Sequence, residues 1–89
     1  MKVVWAPRAQ ADIHEAFEYT ALDRPGAAER VVARLTDAGN RLARMPRRGR
    51  IGKVGTRELV VPGLPYILIY EVSEEVVRIH RVMHEARSR

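Results

Sequence analysis

The sequence predicts an α+β fold with the element order β-α-α-β-β-β, in which an N-terminal helical hairpin packs on one face of an antiparallel sheet. Two observations predict this fold. In the first half of the chain, apolar residues recur at steps of three and four, which is the period of a helix. In the second half, β-rich runs are separated by short turns, as in antiparallel hairpins. The length of 89 residues corresponds to one domain, residues 1–89.

The first strand leads directly into the first helix. Residues 2–5 are a short apolar run that fits a strand, and Pro7 suits the first helical position because an N–H group there would have no helical partner. The apolar stripe of the helix consists of Ala9, Ile13, Ala16, Phe17 and Thr20. Off this stripe lie Asp12, Glu15 and Glu18, as in an amphipathic helix, which Pro25 and Gly26 then end.

The second helix is predicted to run from near Pro25 to Met45 and to end at Pro46. Its apolar stripe consists of Ala28, Val31, Leu35, Ala38, Leu42 and Met45. Gly39 lies in mid-helix, where glycine costs about 1 kcal/mol relative to alanine. We expect this glycine to allow a close approach to the first helix. The short connection between the two helices makes them an antiparallel hairpin.

Three strands follow a predicted loop over residues 46–55. They cover residues 56–61, 66–72 and 76–84, and the middle one is central because it is apolar on both faces. The helices can cover only one face of the sheet, so we expect arginine and histidine side chains to form a charged surface on the other. Alternation alone does not decide which residues of the last strand face outward, since a bulge would exchange the final ones.

The charge is concentrated in the second half of the chain. Residues 1–40 hold five Lys or Arg against six Asp or Glu, and residues 41–89 hold eleven against five, so the net charge is −1 + 6 = +5. The segment from Arg41 to Arg57 has seven positive charges and no acid. Such a segment favours a nucleic-acid or acidic-protein partner, with a solubilising surface loop as the alternative.

The composition excludes several classes of protein. The absence of cysteine excludes disulfides and thiolate metal sites and fits a reducing cytoplasm. No apolar run approaches the roughly 18 residues of a membrane span, and the first residues do not resemble a signal peptide. We therefore expect a cytoplasmic domain with no membrane partner.

Five short segments match a known pattern in order and spacing. They are A..DI...F.Y at 9–19, P.RGR at 46–50, GTREL at 55–59, YILIYEV at 66–72 and IHRVMHEAR at 79–87. Together they resemble the RelE/ParE superfamily of bacterial type II toxin–antitoxin systems over nearly the whole chain. The resemblance implies the same fold and a cognate antitoxin protein as partner.

The resemblance implies two different cellular targets. RelE-like members cut mRNA in the ribosomal A site, whereas ParE-like members poison DNA gyrase without nuclease residues. The segments GTRELVV and RV.H.AR look closer to the RelE type, which predicts a ribosome-dependent mRNA endonuclease with ribosome and mRNA as partners. A gyrase inhibitor and a non-toxic basic interaction module remain the alternatives.

Metal-independent RNA cleavage needs a base for the 2′-OH proton, cations for the phosphate charge and an acid for the leaving oxygen. The resemblance assigns Arg57 to the phosphate, for which a guanidinium fork is suited. It assigns Arg81 and His84 to the same centre. Histidine suits proton transfer there, because a free histidine side chain titrates near neutral pH. These three residues are the predicted catalytic residues.

The resemblance and the charge pattern also predict nucleic-acid-binding residues. Four of them, Arg47, Arg48, Arg50 and Lys53, lie in the predicted loop of residues 46–55, which we call the basic loop. The fifth is Arg87, which would stack on a base where relatives carry Tyr or Phe. No cofactor and no metal are predicted. His80 and His84, four strand residues apart, would be separated by about 13 Å, too far to share one ion.

Overall fold

The computed structural model describes residues 1–86, and the predicted base-contacting residue Arg87 lies outside them. The helices and strands, in chain order, are β1 (Lys2–Trp5), α1 (Pro7–Asp23), α2 (Ala28–Asn40), β2 (Arg50–Ile51), β3 (Arg57–Val60), β4 (Tyr66–Ser73) and β5 (Val76–His84). Short 3₁₀ turns at Pro25–Ala27 and Arg41–Ala43 flank α2. The strand β2 is an addition to the predicted order, because residues 46–55 were expected to be a loop throughout.

The five strands form one sheet in the order β1-β5-β4-β3-β2. The α+β fold and the helical hairpin on one face are confirmed, but the sheet is mixed rather than purely antiparallel. The strands β2 to β5 pair antiparallel, whereas β1 pairs parallel to β5. The strand β1 leads into a helix, so no hairpin turn forces it to pair antiparallel with the next strand in the chain. It pairs instead with β5, from which the helical hairpin and β2 to β4 separate it in the sequence.

The core lies between the helices and one face of the sheet. It contains Ala9 and Ala16 from α1, Val31 and Leu35 from α2, Leu42, and the buried face of the sheet, which consists of Leu59, Val61, Tyr66, Leu68, Tyr70, Val77, Ile79 and Val82. The prediction that residues 66–72 form a central strand is confirmed, since β4 has neighbours on both sides. Ile67 and Ile69 on its other face are half-buried.

A bulge in β5 decides which residues face the helices. The register shifts between Ile69, which pairs with Arg81, and Tyr70, which pairs with Ile79, so His80 is the extra residue. Val77 and Ile79 before the bulge and Val82 and His84 after it therefore share the face that the helices cover. This exchange moves His84 away from the open face.

The second helix is shorter than predicted, because 3₁₀ turns replace its first and last turns, as is common at helix ends. Met45 lies beyond it and is exposed. None of the helices within residues 1–86 has the length and apolar character needed to cross a bilayer.

Gly39 allows a close approach, but to the sheet rather than to α1. A Cβ atom on Gly39 would lie 2.4 Å from the indole ring of Trp5 and 2.8 Å from Ile79. The indole Nε1 of Trp5 donates a hydrogen bond of 3.1 Å to the side chain of Asn40, which holds the ring in that position. The expected contact with the first helix is therefore wrong.

This packing predicts that Gly39→Ala destabilises the fold although alanine is the better helix former. Overpacking typically costs about 1–3 kcal/mol, which outweighs a gain in helix propensity of about 1 kcal/mol or less. Gly26→Ala is the matched control, because no atom lies within 4 Å of the added methyl group. Urea unfolding of both variants is the measurement, and equal midpoints would contradict the packing of Trp5 on Gly39.

Candidate functional site

Arg57 holds the backbone of the basic loop. It begins β3 opposite the buried Tyr70, so its side chain lies on the helix side of the sheet. Its Nη1 donates to the carbonyl oxygen of Gly49 at 2.8 Å and to that of Arg47 at 3.4 Å. The guanidinium group predicted to contact a phosphate thus contacts two carbonyls of its own chain.

The hydroxyl of Tyr70 completes this attachment of the loop. It donates to the carbonyl of Pro46 at 2.7 Å and accepts the N–H of Gly49 at 2.9 Å, and the tyrosine is fully buried. A side chain at Gly49 would approach the Tyr70 hydroxyl and the carbonyl of Glu58 to 2.8 Å. Sequence reasoning missed this role, although a tyrosine within an apolar central strand signals a buried hydroxyl that needs partners.

Arg81 forms an ion pair with Asp12 of α1. The Nε of Arg81 lies 2.8 Å from Oδ2 of Asp12, and its Nη2 lies 3.4 Å from Oδ1. The Asp12 residue is only 6% exposed, and Arg8 lies 3.6 Å from the same carboxylate. The hydrogen bond that Arg81 donates to Asp12 raises the pKa of Arg81 above its ordinary value. Arg81 therefore stays charged at any physiological pH.

The carboxylate of Asp12 also completes the edge of β5. The strand β1 ends at Trp5, opposite Ile79, so β5 has no neighbouring strand on that side beyond this point. There Asp12 accepts a hydrogen bond of 2.8 Å from the backbone N–H of Val82, so this buried donor has a partner.

The prediction that Asp12 lies off the buried stripe is wrong, because the buried positions of α1 are Ala9, Asp12, Ala16 and Thr20. Their steps of three, four and four are the signal that could have identified it.

His84 lies on the helix side, between two tyrosine rings. Its ring makes edge contacts with Tyr66 at 5.1 Å and with Tyr19 at 5.9 Å between centroids. Its Nδ1 accepts the N–H of Ala86 at 3.0 Å, which places the proton of a neutral ring on Nε2.

Two of the three predicted catalytic residues line one cavity. Arg81 and His84 border a space of about 210 Å³, whose wall also includes Arg8, Asp12, Glu15 and Tyr66. Among residues 1–86, the charged groups of its wall are two arginines and two carboxylates, which balance each other.

Arg57 lies far from this cavity. It pairs with Tyr70 on one side of β4, whereas His84 pairs with Tyr66 on the other side. Four residues along a strand and two strand spacings across the sheet separate their Cα atoms by about 16 Å. The fold therefore brings Arg81 and His84 to one cavity and leaves Arg57 on the other side of β4.

The basic loop presents most of its cations to solvent. Arg47, Arg48 and Lys53 are exposed, and within residues 1–86 their side chains have no hydrogen bond or ion pair. Arg50 differs, because its Nη2 lies 3.0 Å from Oε1 of Glu58. Three of the predicted nucleic-acid-binding residues in this loop are therefore available to a ligand.

The open face of the sheet is less cationic than predicted. Its centre consists of Ile67, Ile69 and Met83, all half-buried. Around them Glu71 pairs with His80 at 3.0 Å, and Glu58 pairs with Arg50. In the part of the chain that is described, no three His, Cys, Asp or Glu side chains come together as a metal site would require.

Comparison with known proteins places this geometry in context. Residues 3–89 match the family model described as ParE toxin of the type II toxin–antitoxin system parDE. The chain is 42% identical to "Toxin RelE2" of Caulobacter vibrioides over 86 residues, which cover 97% of each chain. It is 43% identical to "Putative toxin Y4kP" of Sinorhizobium fredii over 84 residues, which cover 93% of this chain and 86% of that one.

The fold also matches a solved structure. The structure described as "Chromosomal ParDE TA system from P. aeruginosa" contains a chain that superposes with a TM-score of 0.86 at 22% identity. The match covers 94% of this chain and 95% of the other. At this level of identity the likeness establishes the fold.

The contacts of Asp12 predict a structural penalty for its removal. Asp12→Ala should lower the free energy of unfolding by about 2–3 kcal/mol, because a buried N–H loses its acceptor and a partly exposed guanidinium loses its partner. Asp12→Asn should recover part of this, since its amide oxygen can still accept from Val82. Asp37→Ala is the matched control, because Asp37 pairs with Arg41 at 3.0 Å on the surface. It should change stability by no more than about 0.5 kcal/mol. Denaturant titration that finds equal losses for the two alanine variants would contradict the role of Asp12.

Proposed function

The chain belongs to the ParE toxin family of type II toxin–antitoxin systems, and from this premise we propose that it arrests growth by binding DNA gyrase rather than by cutting RNA. As a toxin of this type it has a cognate antitoxin as partner. Gyrase acts in the cytoplasm, which is where we place the action of this protein. The mRNA endonuclease that the local sequence segments favour is the second candidate.

One observation carries the proposal. Arg57 and Arg81 are occupied by contacts within the chain, and the Cα atoms of Arg57 and His84 are about 16 Å apart. Cleavage of RNA requires its base, its acid and its cations within hydrogen-bonding distance of one phosphodiester. A toxin that acts by surface contact has no such requirement. The apolar centre of the open face, formed by Ile67, Ile69 and Met83, supports the same conclusion.

The second candidate is favoured by one specific observation. Arg81, His84 and Glu15 do share a polar cavity, which supplies a titratable ring beside a cation and a carboxylate. In a ribosome-dependent endonuclease His84 would transfer the proton and Arg81 would face the phosphate. This arrangement would require Arg81 to exchange Asp12 for the RNA.

The exposed apolar surface of α1 supports a site for the antitoxin. Phe17 and Tyr19 are 36% and 48% exposed, and Leu22 is 86% exposed. The prediction that Phe17 belongs to the buried stripe is wrong, because Asp12 and Ala16 take the positions that face the sheet. We place an apolar segment of the antitoxin on this surface, in the manner of a helix in a groove.

Leu22→Glu should therefore weaken the complex without unfolding the toxin, since an exposed side chain contributes little to the core. Co-expression with the product of the adjacent gene, followed by affinity purification of the toxin, measures the effect. Glu29→Lys on the outer side of α2 is the control for a charge change on an exposed helix position. Recovery of the complex at wild-type yield from the Leu22 variant would place the antitoxin elsewhere.

His84→Phe distinguishes the two candidate mechanisms. Phenylalanine keeps an aromatic ring between Tyr19 and Tyr66 but cannot transfer a proton. The gyrase proposal predicts growth arrest, blocked supercoiling and intact transcripts for both wild type and variant. An endonuclease would lose about 10²–10⁴ in rate with its base. Primer extension on a long transcript and a supercoiling assay, performed on the same induced cultures, measure both properties.

His14→Phe is the matched control, because His14 is an exposed residue of α1 that pairs with Glu18 at 3.3 Å on the helix surface. Transcript cleavage that is present in wild type and in this control but absent in His84→Phe would overturn the gyrase proposal and establish the endonuclease. Absence of growth arrest with folded wild-type protein would leave the third alternative, a non-toxic interaction module.

A further inference from the structure

A groove between α2 and the end of β3 gathers three arginines. It has a volume of about 410 Å³ and is lined by Arg34 and Arg41 from the helix side and by Arg48 from the basic loop, over the buried Leu59 and Val61. Of these three arginines, Arg48 is the one predicted from the sequence as a nucleic-acid-binding residue. The groove lies on the helix side of β3 and is separate from the cavity that contains His84.

The groove has an excess of positive charge. Among the described residues that line it, Asp37 is the one acid, and it pairs with Arg41 at 3.0 Å with both side chains about two-thirds exposed. Exposed pairs of this kind contribute little to stability, so Arg41 can exchange Asp37 for another anionic partner. Arg34 donates to the carbonyl of Pro62, which orients its guanidinium beside the groove.

Within residues 1–86, Arg48 is the cation of the groove whose side chain has no partner. Hydrogen bonds to the adjacent backbone hold it in position. Its neighbour Gly49 is held by the hydroxyl of Tyr70 at 2.9 Å and by Nη1 of Arg57 at 2.8 Å. The backbone N–H of Arg48 donates to the carbonyl oxygen of Met45 at 3.1 Å, which closes a turn over residues 45–48. The loop is thus fixed by buried bonds while the side chain of Arg48 remains unpaired.

We propose that this arginine groove binds the phosphate backbone of a nucleic acid, and that Tyr70 and Arg57 are positioning residues that hold Arg48 in place for it. Guanidinium groups match phosphate oxygens with paired, charge-assisted hydrogen bonds. Arg34 and Arg41 are seven residues apart, about 10 Å along the helix, which corresponds to about three nucleotide steps of 3.4 Å. This surface is additional to the gyrase contact, and its existence does not depend on which target the toxin has.

The proposal is tested by the salt dependence of binding to a 20-base-pair DNA duplex and to a single-stranded RNA of the same length. Three phosphate contacts predict a slope of log K against log salt near −2.7 for the duplex and near −2.1 for the single strand. Arg48→Ala should make the duplex slope shallower by about 0.9. Arg78→Ala is the matched control, because Arg78 is exposed on the opposite face of the sheet and should leave the slope unchanged.

Tyr70→Phe tests the positioning role, because it removes the two loop bonds and keeps every charge. The variant should bind roughly three- to tenfold more weakly, since the loop must be ordered on binding. Its slope should equal that of wild type, because the same phosphates are contacted. The comparison is made at equal folded fraction by circular dichroism. A purely structural defect would reduce the folded fraction and leave the affinity of the folded molecules unchanged.

Three results would overturn the proposal. They are an unchanged slope for Arg48→Ala, an equal loss of slope for Arg78→Ala, and equally tight binding of poly-glutamate, which would identify an acidic protein as the ligand of the groove. Wild-type affinity of folded Tyr70→Phe would remove the positioning role. None of these results bears on gyrase inhibition, which is measured by supercoiling.

Discussion

The buried carboxylate of Asp12 is the interaction on which the rest of the fold depends. It joins the first helix to the last strand through the N–H of Val82 and the guanidinium of Arg81, residues that lie 70 and 69 positions away in the chain. Because β1 stops at Trp5, β5 would otherwise expose a buried backbone donor at this edge. A buried carboxylate loses its hydration, and the hydrogen bonds from Val82 and Arg81 compensate part of that loss. The position of α1 and the walls of the cavity beside His84 follow from this contact.

A second set of buried bonds shapes the basic loop. Tyr70 and Arg57 use one hydroxyl and one guanidinium to satisfy Pro46, Arg47 and Gly49, so a segment without regular structure is held against the sheet. The side chains of Arg47, Arg48 and Lys53 take no part in these bonds and are exposed. The cations thus form two groups, one that bonds within the chain and one that is exposed to solvent. This division favours a toxin that recognises its target by surface contact over one that assembles a catalytic centre from the group that bonds within the chain.

The bulge at His80 shows how one extra residue can change a functional interpretation. Alternation along the last strand places His84 with His80 and Arg78 on one face, but the bulge returns His84 to the helix side beside Tyr66. The open face then has an apolar centre, and its acids Glu58 and Glu71 pair with nearby cations. The register of a strand depends on its neighbours, so no property of residues 76–84 alone could locate the bulge.

The sequence by itself determined the order of elements apart from β2, the central position of β4, the bounds of β5 and the membership in the toxin superfamily. These properties follow from local periodicity, turn residues and short motifs. The tertiary structure alone decided that β1 runs parallel to β5, that Gly39 faces Trp5, and that Asp12 rather than Ile13 or Phe17 takes the buried position on α1. It also decided that Arg57 and Arg81 bind their own chain and that Arg34 and Arg41 join Arg48 in one groove. The physical reason is that each contact depends on how the helices, the sheet and the basic loop pack together, because the partner of a charged or small side chain is not encoded in the residues next to it.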